Sequence, residues 1–325
     1  MSTPHEHPTT FFSSATLPRT TPRGPRYHPT DFFSSAALPR TTPRGPRMSL
    51  SYPARKRWGT AMSAAALTAI ALVMLTPMLW MAFASVKLDA DLFTRTPLRW
   101  PDELTWDHYA NLFTQFHFGS SFVNSLVIAT ATVLLSVVLG GLAAYGFARY
   151  PWRGSGTALG FLMVARMVTP AALVVPLYVI MQTFGLLNSV TGVIVGVTVL
   201  NLPFVIWILK PFFETVPKEV EEAAELDGLS PFSVFFRIVL PLARPGIMTA
   251  VLYSFLAGWT DLLFPMTFIT DSEVMPLTSS LLQMQTGYKI YWGELMAGGI
   301  VLTLPAVVLC FALQRYLLRG LRTGY

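Results

Sequence analysis

Six apolar runs, each long enough to cross a hydrocarbon layer as a helix, limit what this chain can fold into more than any other feature. They occupy approximately 61–85, 122–148, 158–182, 190–212, 246–268 and 295–317. A bilayer core of about 30 Å takes roughly 20 helical residues to cross. Backbone polar groups cannot go unpaired in lipid, so the choice is helix or closed barrel, and runs without polar alternation exclude the barrel. The expected fold class is therefore all-α, a polytopic membrane protein with six transmembrane helices. Pro77, Pro170, Pro176, Pro203, Pro265 and Pro305 fall inside the runs. Neighbouring helices can re-satisfy the carbonyls they free, so kinks are expected and breaks are not.

Composition agrees: of 325 residues, 53% are apolar and only 12% charged, with a mean hydropathy of +0.51, where soluble domains carry about a quarter charged residues. The net charge of +6 does not point to nucleic acid, because the basic residues gather at the termini and in short connections. The connections on the N-terminal side, with Arg315 at the end of the last run, hold 18 Lys and Arg against four on the other side. Without the first 47 residues the ratio is still 12 to four. Both termini are therefore expected to be cytoplasmic. The single cysteine, Cys310, lies within an apolar run, has no disulfide partner in the chain and is expected to serve packing.

Residues 7–26 return almost unchanged as 28–47, with 18 of 20 positions identical. Pro, Thr, Ser and Arg bury too little apolar area to offset chain entropy, so 1–47 is expected to be a disordered tandem-repeat extension. Met48 is the more natural beginning, with 48–60 a cytoplasmic segment, 61–317 the membrane domain and 318–325 a cytoplasmic tail.

Between the fourth and fifth runs lies EEAAELDGLSPFSVFFRIVLPLARPG, residues 221–246, whose first seven residues include four carboxylates. A helix is expected to begin near Val216, since Pro217 suits a first turn and Glu219, Glu221 and Glu222 complement the positive end of the helix dipole. Gly228 can end it in a left-handed conformation, Ser230 can cap a second helix, and Pro231 fits the first position of that helix. The residues spell helix, tight turn, helix, ending at Leu240-Pro241. Val220, Ala223, Ala224 and Asp227 share a stripe where paired alanines would let another surface approach closely. A helix lying on lipid usually shows Lys or Arg on its polar face, and anionic headgroups would repel these glutamates, so a protein partner fits better than a surface linker.

Glu222-Ala223-Ala224, then Gly228, Ile238 and Leu240-Pro241, resemble at full spacing the EAA signature of importer permeases driven by ATP-binding cassettes. From about Trp58 onward the chain is similar to carbohydrate-type (maltose-type) permeases, including NSLVIATATVLLSVVLGGLAAYGFARY, PLYVIMQTFGLL and the closing ALQRYLLRGL. The resemblance implies that the loop 213–245 is a coupling element seated on a cytoplasmic ATPase, with Glu221, Glu222, Ala223, Ala224, Asp227, Gly228, Ile238, Leu240 and Pro241 as its residues. It implies as partners a homologous second permease subunit, an ATPase dimer that binds ATP and Mg itself, and an extracytoplasmic solute-binding protein, in a bacterial plasma membrane. The implied solute is a sugar or polyol, with a glycerophosphodiester or sugar phosphate as the alternative. More narrowly the chain resembles the subunit type that makes little direct contact with sugar in maltose transport, and its tail is too short for an added regulatory domain.

Other residues stand out by chemistry. Asp261, in GWTDLLFP, is an ionisable group near a helix middle, suited to a translocation path or subunit interface with Trp259 and Thr260, or to a structural hydrogen bond to Thr260 or Trp259. The family more often has Asn where Thr260 stands. Arg166, in the third run, is a candidate counter-charge for Asp261. Gly140, Gly141 and Ala144 suit close helix packing. Residues 87–121 leave room for an external helix whose aromatic residues rest at the interface or receive a binding protein. His108 and His117 are too isolated for a metal site, and no cofactor is expected. None of the five lysines, 56, 87, 210, 218 and 289, follows a glycine, so the chain has no phosphate-binding loop and cannot be the conventional ATPase. No nucleophile or metalloprotease motif supports an intramembrane enzyme, and a secondary transporter would show repeated halves with several intramembrane carboxylates.

Overall fold

In a computed structural model, residues 53–93, 100–101, 103–285 and 288–322 are described. The tandem repeat, the segment 48–52 and the last three residues lie outside them. The chain divides into a unit Met1–Met62 and a unit Ser63–Tyr325; all contacts below belong to the second.

The described residues are helical, with two isolated antiparallel bridges, Lys87 to Leu104 and Gln285 to Ile290. The order is α1 (Pro53–Ala84), α2 (Asp89–Leu92), α3 (Asp107–Thr114), α4 (Phe118–Arg149), α5 (Ser155–Met167), α6 (Pro170–Thr183) and α7 (Val190–Glu214). Then come α8 (Lys218–Leu226), α9 (Pro231–Val234), a π-helical turn Phe235–Val239, α10 (Leu240–Leu242), α11 (Arg244–Trp259), α12 (Leu263–Phe268), α13 (Leu277–Gln283) and α14 (Trp292–Arg322). Five stretches are long and apolar enough to cross a membrane: Met62–Ala84, Phe118–Arg149, Val190–Glu214, Arg244–Phe268 and Trp292–Tyr316.

The expected third span is not one kinked helix. It breaks into α5 and α6, bent by 98°, and makes a sixth crossing only if the pair counts as one. Val168 and Thr169 are extended, with ψ of 125° and 129°. Proline disfavours helical geometry in the residue before it, and Pro170 then opens α6 at the position where its missing N–H costs nothing. Pro77, Pro176, Pro203 and Pro305 stay inside continuous helices. The fifth span is interrupted as well, at 260–262, ahead of Pro265. Proline has no N–H for the carbonyl four residues back, and that carbonyl, of Asp261, accepts instead from Thr278 Oγ1 at 2.7 Å.

Helices α4, α7 and α11 form the centre. Gly140 lets α7 close on α4: a Cβ there would stand 2.7 Å from Val205 Cγ1. Ala144 beside it is fully buried, so the small residues do serve packing. One apolar cluster, around Leu209, Phe213, Val234 and Phe235, joins the ends of α4 and α7 to the 218–242 loop. A second, around Leu112, Phe118, Trp259 and Leu277, lies toward the start of α4. Cys310, expected to serve packing, is exposed on α14, as are Leu304, Val308 and Phe311.

Candidate functional site

The acidic segment folds as helix, turn, helix. Pro217 sits just before α8, in extended geometry, so the helix starts at Lys218. Gly228 takes φ of 89°, the left-handed region open to glycine. Ser230 caps α9 by accepting the Ser233 N–H at 3.3 Å, and Pro231 follows at the first helical position. The widened turn at Phe235–Val239 coincides with Pro241, which offers no N–H to the Arg237 carbonyl.

Two adjacent glutamates point opposite ways. Glu221 is buried, and Arg149, at the end of α4, grips its Oε1 through Nε at 2.6 Å and Nη2 at 2.5 Å. Tyr145 donates to Oε2 at 2.8 Å, and Arg149 Nη2 also reaches the Val216 carbonyl at 2.7 Å. Both charges are thus matched and hydrogen-bonded, which a buried ion pair requires. Glu222, Ala223 and Asp227 face outward, and Leu226 is 89% exposed. The expected stripe is therefore split: Ala224 turns inward with Glu221 and packs in the core, while Val220, Ala223 and Asp227 remain outside. Ile238 and Leu240 pack against the same core and Pro241 is half-buried, so these residues hold the loop in place. Arg149 and Tyr145 escaped the sequence reading; the signal was an arginine and a tyrosine on one face, four residues apart, at the end of an apolar run.

Within the bundle, the breaks before Pro170 and at 260–262 border a cavity of about 500 Å³ lined by Arg166, Asn201, Tyr253, Thr260 and Asp261 among apolar residues. Arg166 and Asp261 share this cavity without pairing. Arg166 donates to the Leu200 carbonyl at 2.8 Å and to the Tyr253 hydroxyl, and its guanidinium lies 5.0 Å from the Phe204 ring centre. Asp261 Oδ2 accepts the Phe264 N–H at 3.1 Å, capping α12. Its hydrogen-bond partners are therefore Phe264 and Thr278, not Thr260 or Trp259. Trp259 does not line the cavity: it is 1% exposed, stacks on Phe255 and donates to the Leu302 carbonyl at 2.8 Å. Asn201, which the sequence reading passed over as one amide in an apolar run, donates to Ser136 Oγ at 3.0 Å and Ser254 Oγ at 2.9 Å, joining α4, α7 and α11.

At the start of α14 the isolation of His108 does not hold in space. His108, isolated in sequence, lies with Asp89 and Glu294 in a group whose ligand-type atoms are all within 4.8 Å of one another.

Residues 136–323 match the family model described as the inner membrane component of binding-protein-dependent transport systems. The chain belongs to this family. The diacetylchitobiose uptake system permease protein NgcG of Streptomyces coelicolor is 32% identical over 267 residues, 81% of this chain and 88% of that protein. The trehalose transport system permease protein SugB of Mycobacterium tuberculosis is 31% identical over 252 residues, 77% and 91% of the two chains. A solved bacterial transporter that imports the acidic polysaccharide alginate shares the fold, with a TM-score of 0.67 at 21% identity over 82% of this chain and 99% of the other. A protein of the binding-protein-dependent family is a membrane-spanning transport component rather than an enzyme, which agrees with the apolar helices described above.

Proposed function

We propose that this chain is one permease half of an ATP-driven sugar importer, paired with a homologous second permease, an ATPase dimer and an extracytoplasmic binding protein. The loop 213–245 faces the cytoplasm, as the excess of Lys and Arg on that side supports, and seats on the ATPase, which alone binds ATP and Mg. The carrying observation is the division between Glu221 and Glu222. A buried ion pair fastens the loop to the end of α4, so force applied to its outer surface reaches a spanning helix without the loop yielding first. That outer surface, Glu222, Ala223, Leu226 and Asp227, combines an apolar knob with carboxylates suited to a basic-rimmed cleft. Closure of the ATPase would tilt α4 and α7 together and open the path to solute.

The substrate class follows the named relatives, which transport diacetylchitobiose and trehalose. The 500 Å³ cavity supports it: one Arg and one Asp leave its formal charge at zero, which suits a neutral polyhydroxylated solute better than a phosphate ester. The test is copurification from native membranes with identification of the bound subunits, followed by ATP-dependent uptake of labelled disaccharides into vesicles. Leu226→Asp is expected to release the ATPase while leaving the membrane subunits assembled. Retention of ATPase and full uptake in that variant would refute the coupling assignment, and uptake of glycerophosphodiesters in place of sugars would refute the substrate class.

A further inference from the structure

At the end of α4 away from Arg149, the first turn of α14 meets the segment leading out of α1. His108, on α3, is 6% exposed and Glu294, on α14, 4%. His108 Nε2 lies 2.8 Å from the Lys87 carbonyl oxygen. A carbonyl only accepts, so the ring proton belongs on Nε2, and in the neutral ring Nδ1 carries a bare lone pair. That lone pair faces Glu294 Oε1 at 3.4 Å. Neither Nδ1 nor Glu294 Oε2 has a hydrogen-bond partner. Two electron-rich atoms held face to face in a buried site are unfavourable unless a proton or a metal cation stands between them.

The distance fits the second better. A proton shared between imidazolium and carboxylate draws N and O to about 2.7–2.9 Å. Two ligands roughly 2.0–2.2 Å from one ion at the tetrahedral angle stand about 3.4 Å apart. The surroundings match a metal site too. The Lys87 carbonyl fixes the tautomer that frees Nδ1, and Asn111 Nδ2 orients the carboxylate by donating to Glu294 Oε1 at 3.1 Å. Gly293 makes room for the ring, since a Cβ there would stand 2.1 Å from His108 Cε1. Asp89, half exposed at the start of α2, belongs to the same group of ligand-type atoms, its Oδ1 lying 4.0 Å from His108 Nε2, so it reaches the ion by a small turn of an exposed side chain. A pocket of about 330 Å³, lined by Asp89, His108, Asn111 and Glu294 among others, opens beside them and leaves room for water as a further ligand.

We propose that His108, Glu294 and Asp89 bind a divalent transition-metal ion of the zinc class. One imidazole nitrogen and two carboxylates select such an ion over Mg or Ca, which take oxygen alone. Bound there, it joins α2 and α3 to α14, which is distant from both in the chain, and braces the face opposite the coupling loop. The site stands on its own geometry and does not depend on the transported solute.

The test is calorimetric titration of Zn2+ into the full chain in its assembled complex, purified without a polyhistidine tag, beside His108→Gln, Glu294→Gln and Asp89→Asn. One ion per chain is expected above any weak binding common to all four proteins. Affinity should fall at least tenfold in His108→Gln and Glu294→Gln, the scale reported for altered metal environments, and less in Asp89→Asn. Co2+ should give a tetrahedral visible absorption in the wild type that His108→Gln lacks. Because the buried substitutions can impair assembly, Asp89→Asn provides the independent measurement: weaker zinc binding with an unchanged melting temperature in chelator. Equal zinc binding by all four proteins overturns the proposal. So does a complex that ignores Zn2+ and is instead stabilised as pH falls, which would assign the gap to a proton on His108.

Discussion

Glu221 and Glu294 are both buried carboxylates, 7% and 4% exposed, and each stands where a short helix meets a spanning one. Their surroundings differ in kind. Glu221 receives two hydrogen bonds, from Arg149 Nε and the Tyr145 hydroxyl, and a full opposite charge. Glu294 receives one from Asn111 and faces an imidazole nitrogen across a gap that no hydrogen bond fills. A satisfied ion pair makes a permanent strut, suited to a loop that transmits force. An unsatisfied pair of ligands makes a site whose stability depends on what enters it.

Substitutions at the two ends should therefore differ in size. The largest effect is expected from Glu221→Gln, which leaves the Arg149 guanidinium buried without its counter-charge, a loss of about 3–5 kcal/mol, read as a lower melting temperature of the detergent-solubilised complex. Tyr145→Phe removes one hydrogen bond to the same carboxylate and should cost about 2 kcal/mol; a double-mutant cycle with Glu221→Gln should show strong coupling. At the other end, Gly293→Ala pushes a methyl into the His108 ring and should cost about 1–2 kcal/mol by overpacking. The smallest effect, and the sharpest contrast, belongs to Glu294→Gln in chelator. The amide can donate to Nδ1 only by giving up the oxygen that accepts from Asn111, one hydrogen bond exchanged for another, so stability should change by less than about 1 kcal/mol. If Glu294→Gln destabilises as much as Glu221→Gln, the two ends are alike and the comparison fails.

The loop was legible because its signals are local. Proline at a helix start, glycine in the left-handed region and a serine cap act within four residues, so Gly228, Ser230 and Pro231 took the positions that their chemistry dictates. The spans were legible for a similar reason, since lipid imposes length and apolarity on each helix by itself. Which face of α8 turned inward was not legible. The alanine pair looked like one surface until Arg149, 72 residues away, drew Glu221 and Ala224 into the core. The break before Pro170 was hidden because proline disrupts or merely bends a helix according to its neighbours, and Pro176, six residues on, stays helical.

Helical character, number of apolar runs and the turn chemistry of the acidic loop follow from residues within a few positions of one another, where sterics and hydration act without reference to the rest of the chain. Tertiary structure alone decided which charges meet. It matched Arg149 with Glu221, kept Arg166 and Asp261 in one cavity without pairing them, and brought His108 to Glu294, since Coulomb and hydrogen-bond partners are set by distance in space and helix packing erases separation along the sequence.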